Sequence, residues 1–296
     1  MIQVSVVVAT YRRDSDLERA LASLAEQNYP NIEIVLVDDN GNEEWNLKVE
    51  QVVQSFRRTY PNAVLNCIVN KANQGSAETR NIGIAASNGK YITFLDDDDI
   101  YLPQKIQRQV AFMESGSYDY SITDLNLFNA NERCIDRRVR NYIKDTSPQV
   151  LQRYHLKYHL TGTDTMMFTK EYLGEIGGFA PIDVGDEFYL MQRAIDGNGK
   201  FGYLPGSDVK AYIHTGEGGL SSGEGKINGE NALYAYKKTY FAKVDAETRR
   251  YIKMRHYAVL AFAELRRKHM LAFICQACKA FFCAPIACVK MLFSER

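Results

Sequence analysis

The sequence has no excess of charge of either sign, and this limits the partners that it can have. Its 296 residues include 36 Lys and Arg and 36 Asp and Glu, so the formal net charge is +0 at pH 7. Proteins that bind nucleic acid carry a basic surface, because they must neutralise phosphate groups. We therefore expect no nucleic-acid partner.

We expect no secretory signal from the start of the sequence. The segment Met1–Val8 leads directly into a strand-like pattern, without the basic region, apolar stretch and cleavage site of an export signal. The six cysteines, four of which lie between residues 275 and 288, are therefore expected to be reduced thiols. We expect a cytoplasmic protein, or one that lies peripherally at the inner face of the membrane.

Apolar strand-like runs alternate with amphipathic helical patterns over the first hundred residues. The predicted strands are Val4–Ala9, Ile32–Val37, Val64–Val69 and Tyr91–Leu95, and the intervening helices include about 43–60 and 76–86. Continuous apolar strands separated by helices are typical of a parallel sheet that is covered on both faces. The pattern therefore predicts an α/β fold.

Polar residues follow three of the predicted strands at their carboxyl ends. These residues are Thr10-Tyr11, Asp38-Asp39 and the run Asp96–Asp99. Ligands of such sheets bind beyond the carboxyl ends of the strands, so we expect these side chains to meet at one site.

The run Asp96–Asp99 is the strongest chemical signal in the sequence. Four adjacent carboxylates repel one another, and either solvent or a cation relieves that repulsion. Hard oxygen ligands suit Mg²⁺ or Mn²⁺ bound to a diphosphate. A solvated acidic turn is the alternative, and the position directly after an apolar strand favours the metal site.

Two further polar positions fit a nucleotide ligand, although each has a structural alternative. Asp39 could accept hydrogen bonds from a base or ribose, or it could cap the next helix. Arg80 follows the predicted helix start near Ser76 and could face a phosphate or base, or it could lie on the helix surface.

Four motifs in this order resemble the family 2 glycosyltransferases, which have a GT-A fold. They are V-S-V-V-V-A-T-Y, I-V-L-V-D-D, N-x-G-x-x-x-x-R-N-x-G-I and G-K-Y-I-T-F-L-D-D-D-D, and the resemblance covers roughly residues 3 to 215. It implies a mostly parallel sheet flanked by helices and a nucleotide-diphosphate sugar as donor. It also implies that Ala9, Thr10 and Tyr11 line the nucleotide pocket, with Asp39 bonded to the base and Arg80 nearby.

The resemblance assigns the acidic run to the family's D-x-D motif. It implies that Asp98 holds the metal ion, Mn²⁺ or Mg²⁺, and that Asp96 and Asp97 contact the ribose or the metal. His214 would complete the metal site, and the glycine-rich segment after it resembles a lid over the donor.

The resemblance also implies a catalytic base near Gly185-Asp186-Glu187. The family has a leucine three residues and an arginine six residues after this acid, and counting back from Leu190 and Arg193 reaches Glu187. The acid pair is inverted here, so Asp186 remains an alternative. A base is needed because the acceptor hydroxyl must lose its proton as it attacks the anomeric carbon.

The rest of the chain is predicted to form one GT-A domain over residues 1–228 and a helical extension over 229–296. Within the domain, the residue pattern over Tyr118–Phe128 predicts one strand, and Thr161–Met167 is expected to face the acceptor. The apolar segment Leu271–Phe293 favours a helix on a membrane surface or in a homodimer, with packing against the protein's own core as the alternative.

The predicted function is transfer of a hexose from a nucleotide-sugar donor to a hydroxyl of a glycan or another acceptor, with inversion, in polysaccharide or surface-glycan assembly. Uridine is the expected base, and thymidine or guanosine remain alternatives. Two other functions stay open. A degenerate sugar-nucleotide-binding scaffold would use the same fold, while a sugar nucleotidyltransferase is disfavoured because residues 9–13 contain no glycine.

Overall fold

The structure is a computed structural model that describes residues 1–182, 185–213 and 223–293. The described residues form two compact units. One unit contains residues 1–148 and 160–213, and the other contains residues 149–159 and the described residues beyond 222. The predicted domain boundary after residue 228 stays a prediction.

The strands, in chain order, all belong to the first unit. They are β1 (Val4–Thr10), β2 (Ile32–Asp38), β3 (Val64–Val69), β4 (Tyr91–Asp96), β5 (Ile100–Tyr101), β6 (Tyr120–Thr123), β7 (Leu125–Phe128), β8 (Cys134–Arg138), β9 (Met167–Thr169), β10 (Phe201–Leu204) and β11 (Val209–Tyr212).

The α-helices divide between the two units. The first unit contains α1 (Ser15–Ala25), α2 (Glu43–Thr59), α3 (Ser76–Ala86), α4 (Lys105–Gly116), α6 (Lys170–Glu175) and α7 (Asp186–Asp196). The second contains α5 (Pro148–Tyr158), α8 (Gly223–Thr239), α9 (Ala246–Arg266), α10 (Met270–Cys283) and α11 (Pro285–Phe293).

A seven-stranded sheet forms the centre of the first unit, in the order β10-β6-β9-β4-β1-β2-β3. The pairs among β1, β2, β3 and β4 are parallel, whereas β9 runs antiparallel to both of its neighbours. Val6, Val8 and Leu36 are fully buried in this sheet, as expected for strands with helices on both faces. The predicted α/β fold, with a mostly parallel sheet and C-terminal helices, is confirmed.

The predicted single strand Tyr118–Phe128 is wrong, because the chain changes sheets at Asp124. β6 belongs to the large sheet, whereas β7 belongs to a four-stranded sheet in the order β5-β11-β7-β8. The carboxylate of Asp124 accepts hydrogen bonds from Arg140 N, Tyr203 Oη and Gly206 N at 2.7–2.8 Å. These bonds hold Asp124 between β6 and β7, where its polar side chain interrupts the apolar run of the sequence.

The second unit is helical. One face of α10 and α11 packs on α9, where Met254 and Ala258 meet Ala280 and Cys288. In the same unit, Lys237 is almost fully buried, and its Nζ lies 2.5 Å from Nε2 of His159. No helix within the described part of the chain is long and apolar enough to cross a membrane.

Replacing Gly83 by alanine tests the close packing of α3 on β1. The added methyl carbon would lie 2.4 Å from Cγ1 of Val7, which is buried in the sheet. Overpacking of this kind costs about 1–3 kcal/mol, so Gly83→Ala should lower the melting temperature. Gly174 in α6 is the matched control, because a methyl group there would meet nothing within 4 Å. A Gly83→Ala variant as stable as Gly174→Ala would contradict this packing.

Candidate functional site

Three adjacent strands bring the predicted residues to one edge of the large sheet. Ala9 in β1 lies beside Val37 in β2 on one side and beside Asp96 in β4 on the other. Strand β1 ends at Thr10 and β4 ends at Asp96, so the loops that follow them begin at the same edge. Ala9 is half-buried, whereas Tyr11 in the loop after β1 is exposed.

Asp97 fastens the loop after β4 to the end of β1. Its Oδ2 accepts hydrogen bonds from Thr10 Oγ1 at 2.7 Å and from Tyr11 N at 3.3 Å. Burial raises the pKa of Asp97 to about 7, and the charge of Asp98 adds to this effect. Thr10, Tyr11 and Asp97 are therefore brought together as one structural group.

Asp39 organises the loop that leads into α3. Its Oδ1 accepts hydrogen bonds from Asn70 Nδ2 and from Gln74 N, both at 2.8 Å, and its Oδ2 accepts one from Gly75 N at 3.0 Å. The side chain is buried. The structure thus places Asp39 at the predicted edge, bonded to protein groups, and its contact with a base stays a prediction.

Arg80 connects the acidic end of β4 to the start of α7. Its Nη2 donates to Asp96 Oδ1 at 2.7 Å, and its Nη1 donates to Asp186 Oδ2 at 2.6 Å. Burial opposes the charge of Arg80, yet the two carboxylates raise its pKa above the usual range. The predicted phosphate-side arginine is therefore an internal counterion for two predicted site residues.

Asn81, which follows Arg80, fixes the turn before α7. Its Oδ1 accepts a hydrogen bond from Phe179 N at 2.9 Å, and its Nδ2 donates to Phe179 O at 3.0 Å. The neighbouring Gly178 has φ +61°, and a methyl group there would lie 2.6 Å from Oδ1 of Asn81. Glycine is therefore favoured at this position, and Asn81 ties the turn to α3.

The two acids at the start of α7 have different surroundings. Asp186 is buried and accepts hydrogen bonds from Ser76 Oγ at 3.0 Å and from Arg80. Glu187 is half-buried, and burial, followed by the charge of Asp186, raises its pKa to about 8. Asp186 is thus occupied as an ion-pair partner, while Glu187 has the raised pKa of a general base.

A cluster of three carboxylates could hold a metal ion. Asp96, Asp99 and Asp164 each offer an oxygen atom, and these atoms lie within 4.8 Å of one another. Asp164 Oδ1 accepts a hydrogen bond from Asp96 N at 2.7 Å, and Asp99 Oδ1 accepts one from Tyr212 N at 2.8 Å. Oxygen ligands at this spacing fit Mg²⁺ or Mn²⁺.

Burial and the neighbouring carboxylates raise the pKa of Asp164 and of Asp99 in this cluster. Burial, followed by the charge of Asp96, raises the pKa of Asp164 to about 7. Burial and the charge of Asp164 raise the pKa of Asp99 well above its usual range. A divalent cation would remove this repulsion, because it would neutralise the carboxylates that are forced together.

Asp98, the metal ligand that the resemblance implies, lies outside this three-carboxylate cluster. Its Oδ2 forms an ion pair with Arg13 Nη2 at 2.7 Å. Arg13 also lies 3.2 Å from Asp16 and 3.6 Å from Asp97. The other predicted metal ligand, His214, lies outside the described residues, as do residues 215–222 of the glycine-rich segment 215–228, which the sequence predicts as a loop. Residues 223–228 of that segment are helical instead, because they form the start of α8.

Asp164 is a candidate metal ligand, although it lies in the segment Thr161–Met167 that was expected to face the acceptor. It lies in a short 3₁₀ helix, Thr163–Thr165, 68 residues after Asp96 in the chain. No local pattern in T-G-T-D-T identifies a ligand. Only the antiparallel insertion of β9 next to β4 brings this segment to the acidic run.

Residues 5–177 match the family described as Glycosyl transferase family 2. Two of the similar curated proteins are bacterial. An uncharacterized glycosyltransferase of Haemophilus influenzae is 28% identical over 181 residues, which are 60% of this chain and 56% of that protein. The Escherichia coli UDP-Glc:alpha-D-GlcNAc-diphosphoundecaprenol beta-1,3-glucosyltransferase WfaP is 30% identical over 122 residues, 41% of this chain and 45% of that protein. The chain thus spans about half the length of these relatives.

Two similar solved structures share the fold. Residues 1–349 of TarS from Staphylococcus aureus, in complex with UDP-GlcNAc, have a TM-score of 0.63 at 18% identity, covering 95% of this chain and 91% of that one. The mannosyltransferase PcManGT from Pyrobaculum calidifontis, in complex with GDP-Man and Mn²⁺, has a TM-score of 0.60 at 16% identity. That match covers 100% of this chain and 88% of the mannosyltransferase.

Proposed function

The chain belongs to glycosyltransferase family 2, and on this basis we propose that it transfers a hexose from a UDP-sugar to a hydroxyl group of a glycan acceptor. The transfer inverts the anomeric configuration and depends on a divalent metal ion. The product serves the assembly of a polysaccharide or a surface glycan.

The observation that carries the proposal is the position of Arg80 between two motifs. One guanidinium group bonds Asp96 at the end of β4 and Asp186 at the start of α7. Arg80 therefore lies between two motifs. The acidic motif would face the donor diphosphate, and the start of α7 would face the acceptor. A transferase needs this proximity, because its two substrates must react within one site.

Glu187 is proposed as the base. Its carboxylate would accept the proton of the acceptor hydroxyl while that oxygen forms a bond to the anomeric carbon and the bond to the nucleoside diphosphate breaks. A single displacement of this kind inverts the anomeric carbon. Asp186 would position Glu187 rather than replace it, because Asp186 is bonded to Arg80 and Ser76.

The metal ion would be held by the carboxylates that fit it. Asp96, Asp99 and Asp164 have suitable oxygen atoms, and the family resemblance adds Asp98 and His214. When bound, the ion would supply positive charge to the diphosphate leaving group. Asp97 would hold the loop, since Thr10 and Tyr11 are bonded to it.

The choice of a uridine donor is supported by the names of two similar proteins. TarS was crystallised with UDP-GlcNAc, and WfaP is named for a UDP-Glc donor. The mannosyltransferase with GDP-Man shows that guanosine donors occur on the same fold. Ala9, Thr10, Tyr11 and Asp39 are proposed to line the base and ribose side of this donor site.

Turnover of UDP-sugars with a panel of glycan acceptors tests the proposal, and its pH dependence tests the base. The pKa of Glu187 is raised to about 8, so kcat/KM should increase with pH as this carboxyl loses its proton and should level off above pH 8. Glu187→Gln should lower kcat by about 10²–10⁴-fold, the usual contribution of a general base, and should abolish this increase.

Asp186→Asn is the matched control for the base assignment. It should reduce kcat through the loss of the Arg80 pairing, and it should keep an increase with pH that is shifted to lower pH, because the charge of Asp186 no longer raises the pKa of Glu187. If Asp186→Asn abolishes the pH dependence and Glu187→Gln keeps it, then Asp186 is the base. Binding of UDP-sugar without any turnover would favour the scaffold alternative.

The ion pair between Arg13 and Asp98 predicts a competition between Arg13 and the metal ion. If Asp98 is a ligand, Arg13→Gln should strengthen Mn²⁺ binding, measured by titration calorimetry, because Asp98 no longer has to leave an ion pair at 2.7 Å. Arg19→Gln is the control, since Arg19 pairs with Asp16 and Glu132 instead. A different result would contradict the role of Asp98. If Asp164→Asn weakens Mn²⁺ binding while Arg13→Gln does not strengthen it, then Asp96, Asp99 and Asp164 hold the ion without Asp98.

A further inference from the structure

Helices α10 and α11 turn an apolar face outward. The large exposed side chains include Leu271, which is 86% exposed, Phe282 at 80% and Ile286 at 75%. An amphipathic helix of a globular protein normally buries such side chains against the core. Here the inward positions of the two helices hold small residues, Ala280 and Cys288, which contact α9.

The outward residues of α10 recur at helical spacing, so they form one continuous stripe. Their members are Leu271, Ile274, Cys275, Cys278, Phe281 and Phe282, all exposed, and Ile286 and Val289 of α11 are exposed as well. Large exposed apolar side chains along one face of a helix mark a site of interaction. We define these eight residues as the apolar stripe.

The sequence around the apolar stripe has an excess of positive charge, although Glu264, just before it, pairs with Arg267 and His269. Residues 266–293 contain Arg266, Arg267, Lys268, Lys279 and Lys290 and no Asp or Glu. Lys279 and Lys290 lie on exposed positions of α10 and α11, among the stripe residues. The whole chain has no net charge, but the surface of α10 and α11 is both apolar and basic.

We propose that the apolar stripe docks on the surface of an anionic lipid bilayer. Apolar side chains flanked by lysine and arginine are the composition of helices that lie in the plane of a membrane interface. Neither helix could span a bilayer, because α10 has 14 residues and α11 has 9, fewer than the roughly 20 that a span requires.

A second copy of the chain fits this surface less well than anionic lipid. In a two-fold dimer the same patch meets itself, so each basic residue would face the basic surface of the other copy. Like charges across an interface oppose binding, whereas anionic headgroups attract the exposed Lys279 and Lys290 of α10 and α11. Charge therefore selects the bilayer as the occupant.

Co-sedimentation with vesicles tests this proposal without any need for enzyme activity. The full chain should bind vesicles of phosphatidylcholine with 30% phosphatidylglycerol, and high salt should weaken binding. The double variant Leu271→Glu, Phe282→Glu should reduce the partition coefficient at least tenfold, because both carboxylates would enter the interface. Both side chains are largely exposed, so the variant should keep the native circular dichroism and melting temperature.

Two further variants separate the contributions of position and charge. Leu47 and Val64, which are 52% and 57% exposed and lie in the first unit, provide the matched control. Leu47→Glu, Val64→Glu adds the same charge and should bind vesicles as the native chain does. Lys279→Gln, Lys290→Gln should weaken binding to anionic vesicles by about fivefold per lysine at low salt.

Three results would overturn the proposal. The first is native protein that does not sediment with anionic vesicles. The second is equal binding by the native chain and the Leu271→Glu, Phe282→Glu variant. The third is a native chain that binds no vesicles and forms a dimer in sedimentation equilibrium, when the Leu271→Glu, Phe282→Glu variant is monomeric. That result would assign the apolar stripe to contact with a second copy.

Discussion

The candidate site depends on one largely buried cation, the guanidinium group of Arg80, between the buried carboxylate of Asp186 and the partly exposed carboxylate of Asp96. Its two terminal nitrogens bond Asp96 and Asp186 at 2.7 and 2.6 Å. Removal of Asp186, whose side chain is 8% exposed, would leave the charge of Arg80 poorly compensated, whereas Asp96 is 37% exposed and solvent screens its charge. Arg80 therefore fixes α7 relative to the acidic end of β4, and the same contact leaves Glu187 beside a carboxylate that raises its pKa.

The remaining acids of the site are held close together against their mutual repulsion. Asp97 is fastened to β1 by Thr10, and Asp98 is paired with Arg13. Asp96, Asp99 and Asp164 bring their oxygen atoms within 4.8 Å, where burial and repulsion favour protonation or a cation. A protein that concentrates negative charge beyond the ends of parallel strands is prepared for a metal ion and the phosphates that the ion binds.

Local sequence patterns predicted the first half of the fold well. The strands at Val4–Ala9 and Tyr91–Leu95 are confirmed, because each is marked by a continuous apolar run. The change of sheet at Asp124 was missed, since the bonds that cause it come from Arg140, Tyr203 and Gly206. Asp164 was missed as a metal-ligand candidate for a related reason, because the pairing of β9 with β4 places it and no neighbour in sequence identifies it.

The most direct test of a metal-dependent donor site is the thermal stability of the purified chain with UDP, GDP and TDP, each with and without Mn²⁺. A ligand that binds only the folded state at 100 times its Kd adds about 2.7 kcal/mol of stability, which is readily measured as a shift in melting temperature. We expect UDP to raise the melting temperature in the presence of Mn²⁺ and to raise it much less without Mn²⁺. If none of the three diphosphates stabilises the chain under any metal condition, the proposed donor site is contradicted.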